Sequence, residues 1–419
     1  MLLVVTLQGA GTPASATPAT TIAYAAQASA TRFTGLAFDA CDAPATSTMR
    51  AWKASPFRGV GVYIGGPNRT CGQANLSAGW VATVTGMGWR LIPVYMGKQA
   101  PCSTRKVRFT ASSASADGTL DAAQAVLQAR GLGMLPGSAI YGDIENYTAT
   151  DAVCRTAVLR YLSSWTAELH RQGYLAGVYA NLASGATHLS AAYTSTSYAR
   201  PDALWVARWD LNPALTGWTG IGNAQWANRQ RGKQYQGDHD ETWGGVKINI
   251  DRDSFDAPVA TVAYRYLATA AVNARTGPGT SYPVVTTYTA GAALGVVCQS
   301  AGPKVGTTSV WDKLSTGRYV SDFYVGTPST TGYSAPLPRC SYPYQVTATT
   351  VNERTGPGSS FAVVRTLSSG SLAWVSCQRA GSRVGTTAVW DRLDDGNYVT
   401  DSYLATGSAT SYTLPIARC

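Results

Sequence analysis

Only 13% of the 419 residues are charged, and histidine is rarer still, with three copies. His170, His188 and His239 share no ligand spacing, which argues against a zinc centre, and nothing else in the chain calls for a metal or a cofactor. No G-x-S-x-G elbow, phosphate-binding loop or dinucleotide fingerprint stands in a suitable context, so serine-hydrolase and nucleotide chemistry are set aside. No apolar run is long enough to span a membrane. No C-x-x-C pair occurs either, so the eight cysteines suit neither a zinc ribbon nor a redox motif, and their even number reads as four disulfides of a secreted protein. Residues 1–30 carry no charge. With the short apolar run Leu2 to Leu7 they read as an export signal and spacer reaching residue 32, although no basic segment precedes the run.

What is abundant is Gly, Ser, Thr, Tyr and twelve Trp, a secreted composition. The net charge of +10 and pI near 9.2 favour a polyanionic partner. For such a chain, cell-wall carboxylates and teichoic acids fit better than nucleic acid. The length suggests two or three domains, and an oligomeric state cannot be read from it.

The C-terminal third repeats itself. Cys298 and Cys377 lie 79 residues apart, as do Cys340 and Cys419. Val272 to Gly279 (VNARTGPG) recurs as Val351 to Gly358 (VNERTGPG), Val310 to Leu314 as Val389 to Leu393, and Tyr319 to Asp322 as Tyr398 to Asp401. Short β-branched and aromatic runs broken by Gly-Pro-Gly and Thr-Gly turns predict two small all-β barrels, residues 264–340 and 343–419. Cores of this size benefit from a staple, and Cys298 with Cys340 and Cys377 with Cys419 are the natural pairs. Each would stabilise its module by roughly 4 kcal/mol in the chain-entropy model. The repeat resembles the bacterial SH3-like domain through N-x-R-T-G-P-G, Trp-Asp-x-Leu and the closing Tyr-Val-x-Asp. The resemblance implies either wall binding or a spacer role.

Residues 33–258 alternate strand-like and helical stretches. Runs at Leu36–Asp39, Gly59–Ile64, Leu91–Tyr95, Ala139–Asp143, Leu175–Tyr179, Leu204–Trp209, Lys233–Gln236 and Lys247–Asp251 supply the eight strands of an α/β, (β/α)8 TIM-like barrel. Helices are expected at Ala152 to Arg171, with Val153, Ala157, Leu162, Trp165 and Leu169 on one face, and at Leu120 to Ala129. The second half shows no clear helices, so a doubly wound open sheet stays an alternative. In the barrel reading Cys41 and Cys71 follow adjacent strands, as do Cys102 and Cys154, which favours those pairings among the three that four cysteines allow.

Reactive residues of such barrels sit at the C-terminal strand ends. There stand Asp39, Tyr95, Asp143, Glu145, Tyr179, Arg208, Trp209, Gln234, Tyr235 and Asp251. Asp143 and Glu145 alternate on one strand and face one way, the pairing used to cleave glycosidic bonds, with one carboxyl as acid and the other ionised. Tyr95, Tyr179 and Trp209 offer faces for sugar rings and Gln234 and Tyr235 polar contacts, with partly buried core as the alternative for each ring. His170 suits the C-terminal end of its helix. The acidic turn Gly237 to Glu241 around His239 reads as a solvated loop or a weak cation site.

Gly35 to Pro44, Val62 to Gly66, Ile140 to Glu145, Ala207 to Asp210, Lys233 to Tyr235 and Asn249 to Asp251 together resemble the glycoside-hydrolase-like domain of unknown function found in secreted actinobacterial proteins. That family is a TIM-barrel relative of the Chalaropsis-type lysozymes, muramidases that cleave peptidoglycan. The resemblance implies Glu145 as general acid, Asp143 as its tuning or second carboxylate, and Asp39 and Asp251 as positioning acids. Gly142 departs from the apolar residue expected there. Two functions follow: a secreted hydrolase of a wall glycan, or a catalytically silent wall-binding protein on the same scaffold.

Overall fold

The computed structural model describes residues 28–408 and 410–419, so most of the expected export signal, residues 1–27, lies outside the described residues. Ala30 already donates its amide to the Ser341 carbonyl at 3.0 Å. Eight strands close into a barrel: β1 (Thr31–Asp39), β2 (Gly59–Gly65), β3 (Arg90–Tyr95), β4 (Ala139–Ile144), β5 (Leu175–Asn181), β6 (Ala203–Ala207), β7 (Arg231–Trp243) and β8 (Val246–Val259). Each overlaps one of the expected runs, and closure excludes the open doubly wound sheet.

The neighbours from β1 to β7 pair in parallel, whereas β8 runs antiparallel to both β7 and β1. The barrel therefore departs from the regular (β/α)8 order at its last step. Gly244 and Gly245, at φ +58° and +78°, make a two-residue hairpin turn, which returns the chain antiparallel and leaves no place for a crossover helix. The hairpin also absorbs the stretch Gly237 to Glu241, expected as a loop, into β7.

Helices α1 (Thr46–Ala51), α2 (Ala78–Gly86), α3 (Ala114–Gly131), α4 (Ala152–Arg171) and α5 (Thr187–Ala191) lie along the chain between strands. The Asp151 carboxylate caps α4 by accepting from the Cys154 amide at 3.0 Å, and Gly173, at φ +83°, lets the chain leave it. The buried stripe of α4 holds Ala157, Tyr161, Leu162, Trp165 and Leu169. Val153, expected on that stripe, is 67% exposed because it lies one position off the line through Cys154 and Ala157. Helix α3 begins six residues earlier than expected, at Ala114. Gly142 now has its reason: a Cβ there would stand 3.0 Å from the Trp165 ring. The strand can thus press against α4 on that face, and Asp143 turns inward.

Inside the barrel, Phe33, Ile92, Val94, Tyr141, Leu175, Trp205 and Phe255 form the packed layers, with Tyr63 and Tyr179 above them. The same cluster contains Leu372 and Trp374 from the C-terminal part of the chain. Trp374 donates its indole N–H to the Asn228 carbonyl at 3.1 Å, and the Arg32 guanidinium lies 4.9 Å from its ring centre. This module closes the end of the barrel away from the acids.

Two all-β half-barrels follow. The first holds β9 (Tyr264–Leu267), β10 (Val272–Arg275), β11 (Val284–Tyr288), β12 (Ala293–Val305), β13 (Thr308–Leu314) and β14 (Tyr319–Ser321), in the order β11-β10-β14-β13-β12-β9. The second repeats that order with β15 (Tyr342–Gln345), β16 (Thr350–Arg354), β17 (Val363–Ser368), β18 (Leu372–Val384), β19 (Thr387–Leu393) and β20 (Tyr398–Thr400), and adds β21 (Ala417–Arg418) beside β18. The repeated motifs are explained by a buried carboxyl pair in each: Gln299 donates to Asp312 and Asp322 at 2.8 and 3.0 Å, and Gln378 to Asp391 and Asp401 at 2.8 and 3.1 Å. Disulfides join Cys41 to Cys71, Cys102 to Cys154, Cys298 to Cys340 and Cys377 to Cys419, the pairs expected from the sequence.

Candidate active site

The strand ends opposite the plugged face surround a cleft of 290 Å³, lined by Asp39, Tyr63, Arg69, Arg105, Asp143, Glu145, Asp238 and Asp251 among others. All four expected acids therefore meet. A second hollow of 340 Å³ continues past Glu145 to Tyr179, Arg208 and Trp209.

At the centre stands Gln234. Its amide nitrogen donates to Asp39 Oδ2 at 2.9 Å and to Asp251 Oδ2 at 3.0 Å. Its carbonyl accepts from the Tyr179 hydroxyl and the Trp209 indole N–H, each at 2.9 Å. Every hydrogen-bonding position of the amide is occupied, which fixes which way it points. Gln234→Leu should destabilise the fold by at least about 2 kcal/mol in urea unfolding, because several buried polar groups lose their partner together.

The acids differ in environment. Burial, and next the charge of Asp251, push Asp39 up to about 7, against hydrogen bonds that favour its ionised form, including one from the Tyr63 hydroxyl at 3.2 Å. Asp253, not anticipated from the sequence, is fully buried and takes the Trp205 indole N–H at 3.0 Å. Burial first, then the charges of Asp39 and Asp251, raise it well above the usual carboxylate range. Asp253 follows Asp251 by two positions on β8, and strand alternation from Asp251 was the signal that could have found it. Asp251 is raised by burial, against the amide N–H of Asp238 at 2.5 Å.

Asp143, 3% exposed, leaves Oδ1 without a hydrogen-bond partner. Burial first, then the charges of Glu145 and Asp39, raise it well above its ordinary value, with Arg105 opposing. Glu145, just beyond β4, meets the Arg105 guanidinium at 2.5 Å. Its amide is held by Gln99 Oε1 at 2.8 Å, and the Gln99 side-chain nitrogen donates to the Asp143 carbonyl at 2.6 Å. Nothing in the sequence around Arg105 marked it, because it comes from an irregular loop.

The aromatic residues divide. Trp209, just past β6, is 62% exposed and lies over Gly237, where a Cβ would come within 2.2 Å of the indole. Tyr179 faces the second hollow. Tyr95 does not join them: it is 5% exposed, with its ring 6.0 Å from Trp165, because its position on β3 faces the helix layer. Tyr235 is likewise buried and lines neither hollow, since the neighbouring Gln234 takes the inward direction. His170 is paired with Asp202 at 2.6 Å in the core, and His239 with Glu241 at 2.9 Å.

A closed barrel with carboxyl groups gathered at one end is the arrangement found here in what sequence comparison identifies as a glycoside hydrolase-like domain. Residues 50–255 match the family model of the Rv2525c-like, glycoside hydrolase-like domain, and this part of the chain belongs to that family. Asp143, Glu145, Asp251 and Asp253 fall within the match, and Asp39 precedes it. Among solved structures, the Tat-secreted protein Rv2525c of Mycobacterium tuberculosis is 16% identical, covering 53% of this chain and 96% of that one at a TM-score of 0.39. A family 25 glycosyl hydrolase from Bacillus anthracis is 14% identical, covering 54% and 93% at a TM-score of 0.34. The chain is also 37% identical over 82 residues to the uncharacterized protein YraI of Bacillus subtilis (strain 168), 17% of this chain and 69% of that one, and that segment belongs to the same family as YraI.

Proposed function

We propose that the protein is an extracellular glycoside hydrolase acting on peptidoglycan or a related cell-wall glycan. Residues 33–258 are its catalytic domain, of TIM-barrel type. Residues 264–340 and 343–419 are SH3-like modules that bind the wall. Four disulfides support an oxidising, extracellular setting. Among the described residues no helix is long and apolar enough to cross a membrane.

The observation that carries the reading is the placement of Glu145, which borders both hollows two residues after the proton-holding Asp143. One carboxyl kept neutral beside one kept against a guanidinium is the division of labour that glycoside cleavage uses. A sugar ring stacks on Trp209, with the glycosidic oxygen over Glu145. As Arg105 turns toward the substrate, the proton of the pair reaches Glu145 and passes to the leaving oxygen while the C1–O bond breaks. Water then adds at C1 and returns a proton to the carboxyl pair. Asp39 and Asp251, tied together through Gln234, hold the sugar hydroxyls in place, with Asp253 buried behind them.

A second reading, a catalytically silent wall-binding protein, draws on the Arg105 guanidinium that covers Glu145. Purified cell wall separates the two. The wild type should release reducing ends, and Glu145→Gln should lower release by about 10²- to 10⁴-fold with wall pull-down unchanged. Pull-down by both proteins with release by neither would establish the silent reading.

A further inference from the structure

Beside the acidic cleft lies a larger hollow of 830 Å³ that shares Arg69, Thr70, Arg105 and Glu145 with it. Its charged lining is Arg69, Arg105 and Lys106 against Glu145 alone. Arg105 is engaged by Glu145, but among the described residues Arg69 and Lys106 form no ion pair, and Arg69 donates to the Tyr63 carbonyl at 3.2 Å. Two cations thus face the hollow with their charge uncompensated, next to the bond-cleaving carboxyls.

The walls are built rather than incidental. One is the loop after β2, tied by the Cys41–Cys71 disulfide, and the other the loop after β3, tied by Cys102–Cys154. Asn68 laces them together: its amide nitrogen donates to the Gly97 and Val107 carbonyls, each at 2.8 Å, and its carbonyl accepts from the Val107 amide at 3.2 Å. Arg108 braces the second loop by donating to the Ser103 carbonyl at 2.9 Å. The two loops are thus set in place, with Arg69 held further by the Tyr63 carbonyl and Lys106 reaching out from the second loop, so the loop backbone need not be ordered when an anion arrives.

We propose that this hollow is an anion subsite, in which Arg69 and Lys106 receive a carboxylate carried by a substituent of the sugar next to the scissile bond. The inference rests on the glycan-cleaving reading and adds to it a preference for acidic over neutral glycans. A carboxylate here also draws Arg105 off Glu145, so an acidic substrate uncovers the catalytic carboxyl that a neutral one leaves capped.

Calorimetric titration of Asp143→Asn, which turns the ligand over too slowly to matter and keeps Arg105 engaged by Glu145, tests it with two tetrasaccharides of alternating N-acetylglucosamine and N-acetylmuramic acid. One has free lactyl carboxylates and the other has the same groups as carboxamides. The acid should bind about tenfold tighter than the amide at low salt, with the margin shrinking as NaCl is added. Adding Arg69→Gln and Lys106→Gln should abolish the margin while amide binding persists. A third ligand carrying an L-Ala–D-Glu dipeptide on the lactyl group distinguishes the sources of the carboxylate. Tighter binding than the free acid points to the peptide, weaker binding to the lactyl group. Equal binding of acid and amide, or a margin that survives both substitutions, would overturn the subsite while leaving hydrolysis standing. Binding of none of the glycans would overturn both.

Discussion

Asp143→Asn is expected to reduce the release of reducing ends by about 10²- to 10⁴-fold and at the same time to make the protein more stable at neutral and alkaline pH. The two effects share one cause. Asp143 is buried, flanked by Glu145 and Asp39, and its folded value lies well above the usual carboxylate range. The unfolded chain loses this proton near pH 4, so the native state holds a proton that the unfolded state lacks over the interval above that. Stability from this group is therefore complete below about pH 4 and is lost as pH rises through the folded value. Asn carries no charge at any pH and removes that loss, together with the proton the reaction needs. Asp39, pushed up to about 7, acts in the same direction. The melting temperature of the wild type should consequently fall from pH 4 towards pH 8, and Asp143→Asn should flatten the curve. A variant that loses activity and stability together would point to a folding role instead.

Trp374→Ala should cost about 3–5 kcal/mol in equilibrium unfolding, although Trp374 lies in the second all-β module and far along the chain from the barrel strands. Its side chain is 1% exposed and packs in the same cluster as Phe33, Trp205 and Phe255. The change would leave a cavity under the barrel, strip the Asn228 carbonyl of its donor and remove the ring beneath Arg32. Further ties would be loosened with it: Asn228 to the Leu372 carbonyl at 2.5 Å and Arg365 to Asn228 at 2.7 Å. A loss below about 1 kcal/mol would show that the module contributes nothing to the barrel core, because surface substitutions fall in that range. The module is thus a floor to the barrel rather than a loosely tethered appendage, and any wall surface it carries is held in a set orientation to the cleft.

Much of the architecture was legible in short stretches of chain. Helix α4 shows its cap, its apolar stripe and its terminating glycine within 23 residues, from Asp151 to Gly173. The barrel strands read as apolar runs, three of them ending in an acid, and the repeat spacing declared two modules and their cysteines. The antiparallel last strand was also open to reading, since Gly244-Gly245 marks a hairpin, but the count of eight runs favoured a uniform barrel. Tyr95 and Tyr235 were misplaced for another reason. A strand end fixes depth, whereas direction inward or outward depends on register, and a one-residue difference exchanges the faces.

By itself the sequence determined the strand runs, the long helix α4 and the two repeats, because periodicity, turn residues and strand alternation are short-range properties of the chain; the barrel's cysteine pairs and the meeting of Asp39, Asp143, Glu145 and Asp251 were expected only by way of a closed barrel. Only the tertiary structure decided that Asp253 is buried where the charges of Asp39 and Asp251 reach it, that Gln234 joins four side chains, that Arg105 covers Glu145 and that Trp374 closes the barrel. Those partners come from strands and loops far apart in the chain. Which of them meet, and which carboxyl keeps its proton, follows from packing and burial once the barrel has closed.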